Sequence, residues 1–356
     1  MSSLSLTAEK LDRLGLTLKP LVLATVTETE WNAINELANQ RRAEDSPGDP
    51  PRPLQDTING IRHIPPVVDM QQWFAWHGTA IVASCRAAVL NVEQNQHILD
   101  FDIFVLPAWR RQGIATELLK LAVKRAQEKA RTLLLANTES TVSAGEAFCE
   151  HIGAEVGLTA HENQLVLANV DRAMLQAWIA KASERADDLE LGLWDGPLPE
   201  SELAAIITMM DTMNNAPRED LKVEDFKVTP EILRQGEASM AGRGIERWIL
   251  YVRDPANGVY AGYTEVFWRA TEPHLVGQGD TGVVAAYRNR GIGRWLKAAM
   301  LEKILQERPQ VKYVRTGNAA SNEAMLKVNH ELGFTLHKIF KVWQVERSAV
   351  ENYLRR

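Results

Sequence analysis

The sequence predicts two mixed α/β domains of similar size in tandem. A glycine-centred hexamer occurs twice, as RRQGIA at residues 110–115 and RNRGIG at 288–293. The central glycines, Gly113 and Gly291, lie 178 residues apart, half of the 356-residue chain. Each copy follows a short apolar run of strand character and precedes a run with helical spacing. The order of candidate elements around the first copy recurs around the second.

In the first half, residues 21–27 read as a strand, 28–42 as a helix, and 44–53 as a loop rich in proline and acid. Residues 73–76 and 79–90 form a hairpin about His77 and Gly78. Residues 98–105 are the strand feeding the first hexamer. Leu118, Leu119, Ala122, Val123 and Ala126 then mark one face of a helix. Residues 132–136 are a buried strand, and a last helix ends at Ile152 before Gly153.

The second half repeats this order: strand 189–194, helix 200–213, and an acidic loop at 214–225 that holds Asp220, Glu224 and Asp225. A hairpin follows at 248–253 and 259–268, then strand 281–285 into the second hexamer. Trp295, Leu296, Ala299, Met300 and Ile304 share a helix face. Residues 311–315 are a strand, and the helix from Asn322 ends at Leu332 before Gly333. Residues 171–187 read as a helical connector, which divides the chain into domains at 1–184 and 185–356.

The composition, 45% hydrophobic and 24% charged, is that of a soluble globular protein. A net charge of −6 argues against a broad nucleic-acid surface. No run approaches the roughly 20 apolar residues of a membrane span, and residues 1–15 lack the apolar centre of a secretory signal, so the expected location is cytoplasmic, with no membrane or nucleic-acid partner. Only Cys85 and Cys149 are present, and the 8 histidines form no H-x-x-x-H or H-x-H pair, so no metal site is expected. G-x-S-x-G and G-x-x-x-x-G-K-[ST] are absent. Gly293 is followed by Arg294, Trp295 and Leu296, which breaks the dinucleotide fingerprint.

The hexamer itself is an anion cradle. Glycine at 113 and 291 permits positive φ and removes the side chain that would hold a ligand away. The helix behind it offers unpaired N–H groups and the positive end of its dipole, a good seat for a pyrophosphate. Arg110 and Arg111 add charge to the first copy, and Arg288, Arg290 and Arg294 to the second.

Strand, [RQ]-x-x-G-x-[GA], helix, strand and an asparagine-led helix ending in Gly–Phe together resemble the GNAT acetyltransferase superfamily. The likeness is carried by VVAAYRNRGIGRWLKAAM and RTGNAASNEAMLKVNHELGF in the second half, and by FVLPAWRRQGIATELLKLA in the first. It implies two GNAT-like domains, each a mainly antiparallel twisted sheet flanked by helices, with one parallel strand pair splayed to admit acetyl-CoA as co-substrate. The pyrophosphate would lie on Arg288, Asn289, Arg290, Gly291, Ile292, Gly293 and Arg294, and in the first copy on Arg110, Arg111, Gln112, Gly113, Ile114 and Ala115. The pantetheine arm would meet strand backbone at Val283 and Val284, or at Phe104 and Val105.

The two copies are unequal against the family pattern. The asparagine of the last helix is Asn322 in the second half, with Asn318 as a further contact, but Val142 in the first. The tyrosine that protonates the leaving thiolate in the family is replaced by Asn329 and Cys149. Tyr287, Tyr263 and Tyr313 remain unassigned as substitutes, and His330 reads as a surface residue. Catalysis is therefore expected in the C-terminal half, with the N-terminal half degenerate or coenzyme-binding only.

An attacking amine must lose a proton, and a carboxylate acting through water is the usual base. Glu265 in the strand before the coenzyme strand ranks first, then Asp280, whose matching place in the first copy is Asp102. The expected activity is N-acetyl transfer to a small-molecule amine within a ternary complex, by a monomer or homodimer. A catalytically decayed acyl-CoA-binding scaffold and a peptide or protein N-acetyltransferase are the alternatives.

Overall fold

The first hairpin is an antiparallel pair whose second strand is buried on both faces, along 81–85 and 87–89. β2 (Val68–His77) and β3 (Ala80–Leu90) run from Val68↔Leu90 to His77↔Ala80. A computed structural model of the chain describes residues 10–356. Part of the N-terminal stretch examined for a secretory signal lies outside the described residues. By compactness the chain separates into two units.

Unit 1 takes the described residues up to Thr159, together with Asp220–Glu224 and Phe340–Arg356. Its strands lie in the order β1-β2-β3-β4-β5-β12, with β1 at Thr17–Pro20, β4 at Ile98–Val105, β5 at Leu133–Glu139 and β12 at Thr335–Glu346. Only β4 and β5 pair in parallel, over Ile98↔Leu133 to Asp100↔Leu135. The helices are α1 (Glu28–Asp45), α2 (Leu54–Arg62), α3 (Ile114–Glu128), α4 (Ser143–His151) and, at the C-terminus, Arg347–Leu354. Leu118, Leu119, Ala122, Val123 and Ala126 of α3 are buried with Val82, Cys85, Leu99 and Phe101 of the sheet. Each such large aliphatic side chain stabilises the fold by roughly 1.5–3 kcal/mol.

Unit 2 takes Ala160–Glu219 and Asp225–Ile339. Its order is β6-β11-β10-β9-β8-β7: β6 (Glu155–Val166), β7 (Glu190–Asp195), β8 (Ile245–Arg253), β9 (Tyr260–Arg269), β10 (Leu275–Val283) and β11 (Tyr313–Ala319). Here β10 and β11 are the parallel pair, from Leu275↔Tyr313 to Gln278↔Thr316. The helices are α5 (Arg172–Arg185), α6 (Leu203–Met210), α7 (Pro230–Gly242), α8 (Ile292–Glu307) and α9 (Glu323–Glu331).

Two mixed α/β units with one parallel pair apiece match the predicted fold class. Their membership differs from a division at 184/185. The partner of β5 is the Phe340–Glu346 stretch of β12, from the far end of the chain, and the partner of β11 is β6, from the first half. The apolar residues account for this. Trp343 and Val345 are buried in the core of unit 1, and Leu165 and Leu167 in that of unit 2.

Other elements shift. Residues 21–27 are a turn rather than a strand, because Thr27 and Glu30 form a reciprocal capping box that starts α1, with Thr27 N donating to Glu30 Oε2 at 2.9 Å. The helix expected at 200–213 is α6 with a 3₁₀ turn on either side. β10 begins six residues before Thr281. The strands β6 and β12 and the helices α2 and α7 have no counterpart in the pattern reading.

A candidate coenzyme cleft in unit 2

The site begins where β10 and β11 part. They pair only as far as Gln278↔Thr316, so the edge of β10 from Gly279 to Val283 has no β11 partner. On its other edge β10 pairs with β9, with a bulge that sets Gly279 and Asp280 between the pairs Gln278↔Val266 and Thr281↔Thr264, opposite Glu265. In unit 1, β3 and β4 pair from Ala83↔Val105 to Ala88↔Asp100 without a shift.

At the end of β10 the chain makes a 3₁₀ turn (Ala285–Tyr287) and enters the hexamer. Asn289 has φ 65° and Gly291 φ 85°, against 62° at Arg111 and 83° at Gly113. Arg288 Nε donates to Val283 O at 3.2 Å, as Arg110 Nε does to Val105 O at 3.0 Å. The two backbones thus form the same left-handed nest of N–H groups at a helix N-terminus.

Their surroundings decide which is open. No atom lies within 4 Å of a β-carbon built on Gly291, whereas one on Gly113 would collide with Lys10 Nζ and Cε. Arg110 is held by both oxygens of Glu44, at 2.7 and 2.5 Å. Arg288 is exposed, and among the described residues its terminal nitrogens meet no acid. Arg290 is drawn to Asp188, and Arg294 to Glu331. Phe104 and Val105, the matching strand residues of the first copy, are buried in the cores of unit 1.

A cleft of about 890 Å³ surrounds Arg288–Arg294. Its floor is Thr281, Gly282 and Val283, and Asn322, the N-cap of α9, lies on its rim. Thr212, Met213 and Asn215 of the turn after α6 form one wall. The other wall is α5, through Trp178, Lys181, Ala182 and Arg185. In the sequence this helix reads as a connector. The spacing 178, 181, 182, 185 is one helical face bearing two cations, and that was the available signal.

Residues 31–153 match the family model described as acetyltransferase (GNAT) family. A tandem GNAT protein from the clavulanic acid biosynthesis pathway superposes with a TM-score of 0.76 at 25% identity, covering 93% of this chain and 98% of that one. The stretch of unit 1 matched by that model resembles a GNAT acetyltransferase domain, and the whole chain has the fold of a tandem GNAT protein. A GCN5-related N-acetyltransferase from Sphaerobacter thermophilus shares the fold, with a TM-score of 0.65 at 13% identity over 93% and 96% of the two chains. So does a glucosamine N-acetyltransferase region of a fungal multi-domain β-N-acetylglucosaminidase, at 0.64 and 13%, covering 93% of this chain and 38% of that one. No curated protein sequence matches. As GNAT enzymes in general use acetyl-CoA, the fit of this cleft to a pyrophosphate is the relevant test. The empty space over Gly291, the nest and the exposed Arg288 meet it.

Behind the bulge lies a buried polar cluster. Arg247 grips Glu265, Nε to Oε2 at 2.8 Å, and Glu265 Oε1 accepts from the backbone N–H of Asp280 at 3.4 Å. Tyr263, itself 1% exposed, donates its hydroxyl to Asp280 Oδ2 at 3.3 Å. Burial and the charge of Glu265 raise the pKa of Asp280. Burial and the two carboxylates raise that of Tyr263, keeping it a phenol. Asp102 is set differently. Burial pushes its pKa up, but Arg41, bonded to both oxygens at 2.6 and 2.9 Å, holds it below the usual range.

The acidic loop does not furnish a row of free carboxylates. Glu224 bonds the backbone N–H of Asn95 at 2.7 Å, and Asp225 pairs with Arg218. Tyr287 is bound to Asp254 at 2.8 Å, and His330 is exposed. Cys85 and Cys149 are buried and free, and burial pushes the Cys149 thiol up to about 12. Such thiols are inert at neutral pH. Among the described residues, no helix is long and apolar enough to cross a membrane.

Proposed function

We propose that unit 2 transfers the acetyl group of acetyl-CoA to the amine of a small molecule, by direct attack while both substrates are bound, and that unit 1 is a degenerate copy. The open nest at Gly291, against the nest at Gly113 filled by Lys10, carries the assignment of roles. The likeness to a tandem GNAT protein of a biosynthetic pathway for a small molecule supports the acceptor class.

Acetyl-CoA supplies an acyl group activated as a thioester. Backbone N–H groups of residues 291–294 and the Arg288 guanidinium bind the pyrophosphate, while the unpaired edge of Gly279–Val283 takes the arm as an added strand. In this reading Asp280 is the base that removes a proton from the ammonium of the acceptor. Its raised pKa brings it nearer neutrality, where a base works best. Glu265, bound to Arg247 and to the Asp280 backbone, holds the bulge and raises that pKa. The departing thiol has an ordinary pKa near 8.5, so Asn329 in place of a tyrosine is tolerable and water can return the proton.

Acetyl-CoA turnover over a panel of small amines, peptides and protein N-termini tests the activity. Tight coenzyme binding without turnover on any of them would replace it with a scaffold role. Isothermal titration is expected to give one acetyl-CoA per chain; two would restore unit 1 as a coenzyme site. Reversing the α5 cations together, Lys181→Glu with Arg185→Glu, is expected to weaken acetyl-CoA binding roughly tenfold at low salt and less at high salt. Unchanged affinity would remove α5 from the site.

A further inference from the structure

The core of unit 2 contains an amine with no acid beside it among the described residues. Lys297 of α8 is 1% exposed; its Nζ donates to Asn329 Oδ1 at 2.8 Å and lies 5.6 Å from the centre of the Phe334 ring. Asn329, also 1% exposed, donates from Nδ2 to Asn318 Oδ1 at 2.7 Å. Asn318 stands on β11 two residues past Thr316, the last residue paired with β10. Its own Nδ2 has no partner among the described residues.

The direction of this chain is forced. An ammonium has donors and no acceptor, so Asn329 must turn its oxygen to Lys297. Its nitrogen then faces Asn318, which must answer with its oxygen. The nitrogen of Asn318 is left over, on the stretch of β11 beyond its last pairing with β10. We propose that Lys297 is a positioning residue that sets the polarity of both amides, so that Asn318 offers an N–H to a carbonyl of the pantetheine arm. This rests on the acetyl-CoA reading of the cleft.

The first copy serves as an internal control. At the places of Lys297, Asn329 and Asn318 it has Leu119, Cys149 and Thr138. Leu119 and Cys149 are buried in the core, and Thr138 Oγ1 accepts from Trp343 Nε1 at 2.8 Å. The fold therefore accepts an apolar pair at this spot, and a buried amine without a counter-ion costs stability. Burial pushes Lys297 down to about 7, so the donor-only form predominates near pH 6.

The test is isothermal titration of the full chain at pH 6 with two probes, acetyl-CoA and adenosine 3′,5′-bisphosphate, which lacks the arm. Lys297→Met is expected to weaken acetyl-CoA roughly three- to tenfold, the loss of about one hydrogen bond, and to leave the nucleotide unchanged. Asn318→Asp, which keeps the acceptor and removes the donor, should weaken acetyl-CoA at least as much. Equal weakening of both probes would mean that α8 has moved the phosphate loop, and would overturn the proposal. So would unaltered acetyl-CoA affinity in the two variants. Wild-type protein that binds neither probe would instead sink the coenzyme reading itself. Asn329→Leu repeats the test if Lys297→Met does not fold.

Discussion

Gly291→Glu is expected to abolish measurable acetyl-CoA binding, with a loss on the order of 100-fold or more, while the matching Gly113→Glu leaves affinity unchanged. Two effects combine at 291. At φ 85° a β-carbon costs roughly 1–2 kcal/mol. The new carboxylate also stands where the phosphates belong, replacing charge-assisted bonds of roughly 1.5–3 kcal/mol each with repulsion. At 113 the same strain applies, but the displaced group is the flexible end of Lys10, an ammonium that can pair with the added acid. Thermal melting of both variants isolates the shared backbone cost, and titration isolates the ligand effect. Equal loss of acetyl-CoA affinity in the two variants would contradict the division of roles.

The contrast also shows what the sequence could convey. The nest was legible because its geometry is local: an arginine, a glycine at positive φ and a helix start fix the backbone, and both copies adopt it within a few degrees. Its occupancy was not legible, because Lys10 and Glu44 reach Gly113 and Arg110 from 103 and 66 residues away in the sequence. No periodicity encodes such a contact. The exchange of β6 and β12 was hidden for a similar reason. Both strands mix charged with apolar residues, and their partners are chosen by the core each apolar residue can enter. Elements with strong alternation or clear caps, such as β4 at Ile98–Val105, coincided with the pattern residue for residue.

Lys297 belongs to the same lesson from the other side. Its place on the buried face of α8 follows from helical spacing, but a lysine there is normally read as a residue turned outward. The repeat supplied a clue, since the corresponding residue of the first copy is Leu119. The raised pKa of Asp280 was hidden for the same reason, because it comes from burial and from the charge of Glu265, which the bulge sets opposite it.

Asp280→Asn is expected to lower kcat/KM by roughly 10²–10⁴, the usual contribution of a general base, with acetyl-CoA affinity and fold retained. The pH profile gives the sharper test. A base works only when deprotonated, so the wild-type rate falls as pH drops through the raised pKa of Asp280, and that acid limb should vanish in the variant. Glu265→Gln is expected to shift the limb to lower pH instead of removing it. Taking away the neighbouring negative charge relieves one of the two causes that raise the Asp280 pKa, and Arg247, released from Glu265, then acts on Asp280 in the same direction. That variant also leaves the half-buried Arg247 guanidinium without its anionic partner, at a cost of roughly 1–3 kcal/mol in stability, so its profile must be taken well below its melting temperature. If Asp280→Asn keeps the wild-type limb while Glu265→Gln loses it, the base is Glu265 and the roles within the pair reverse.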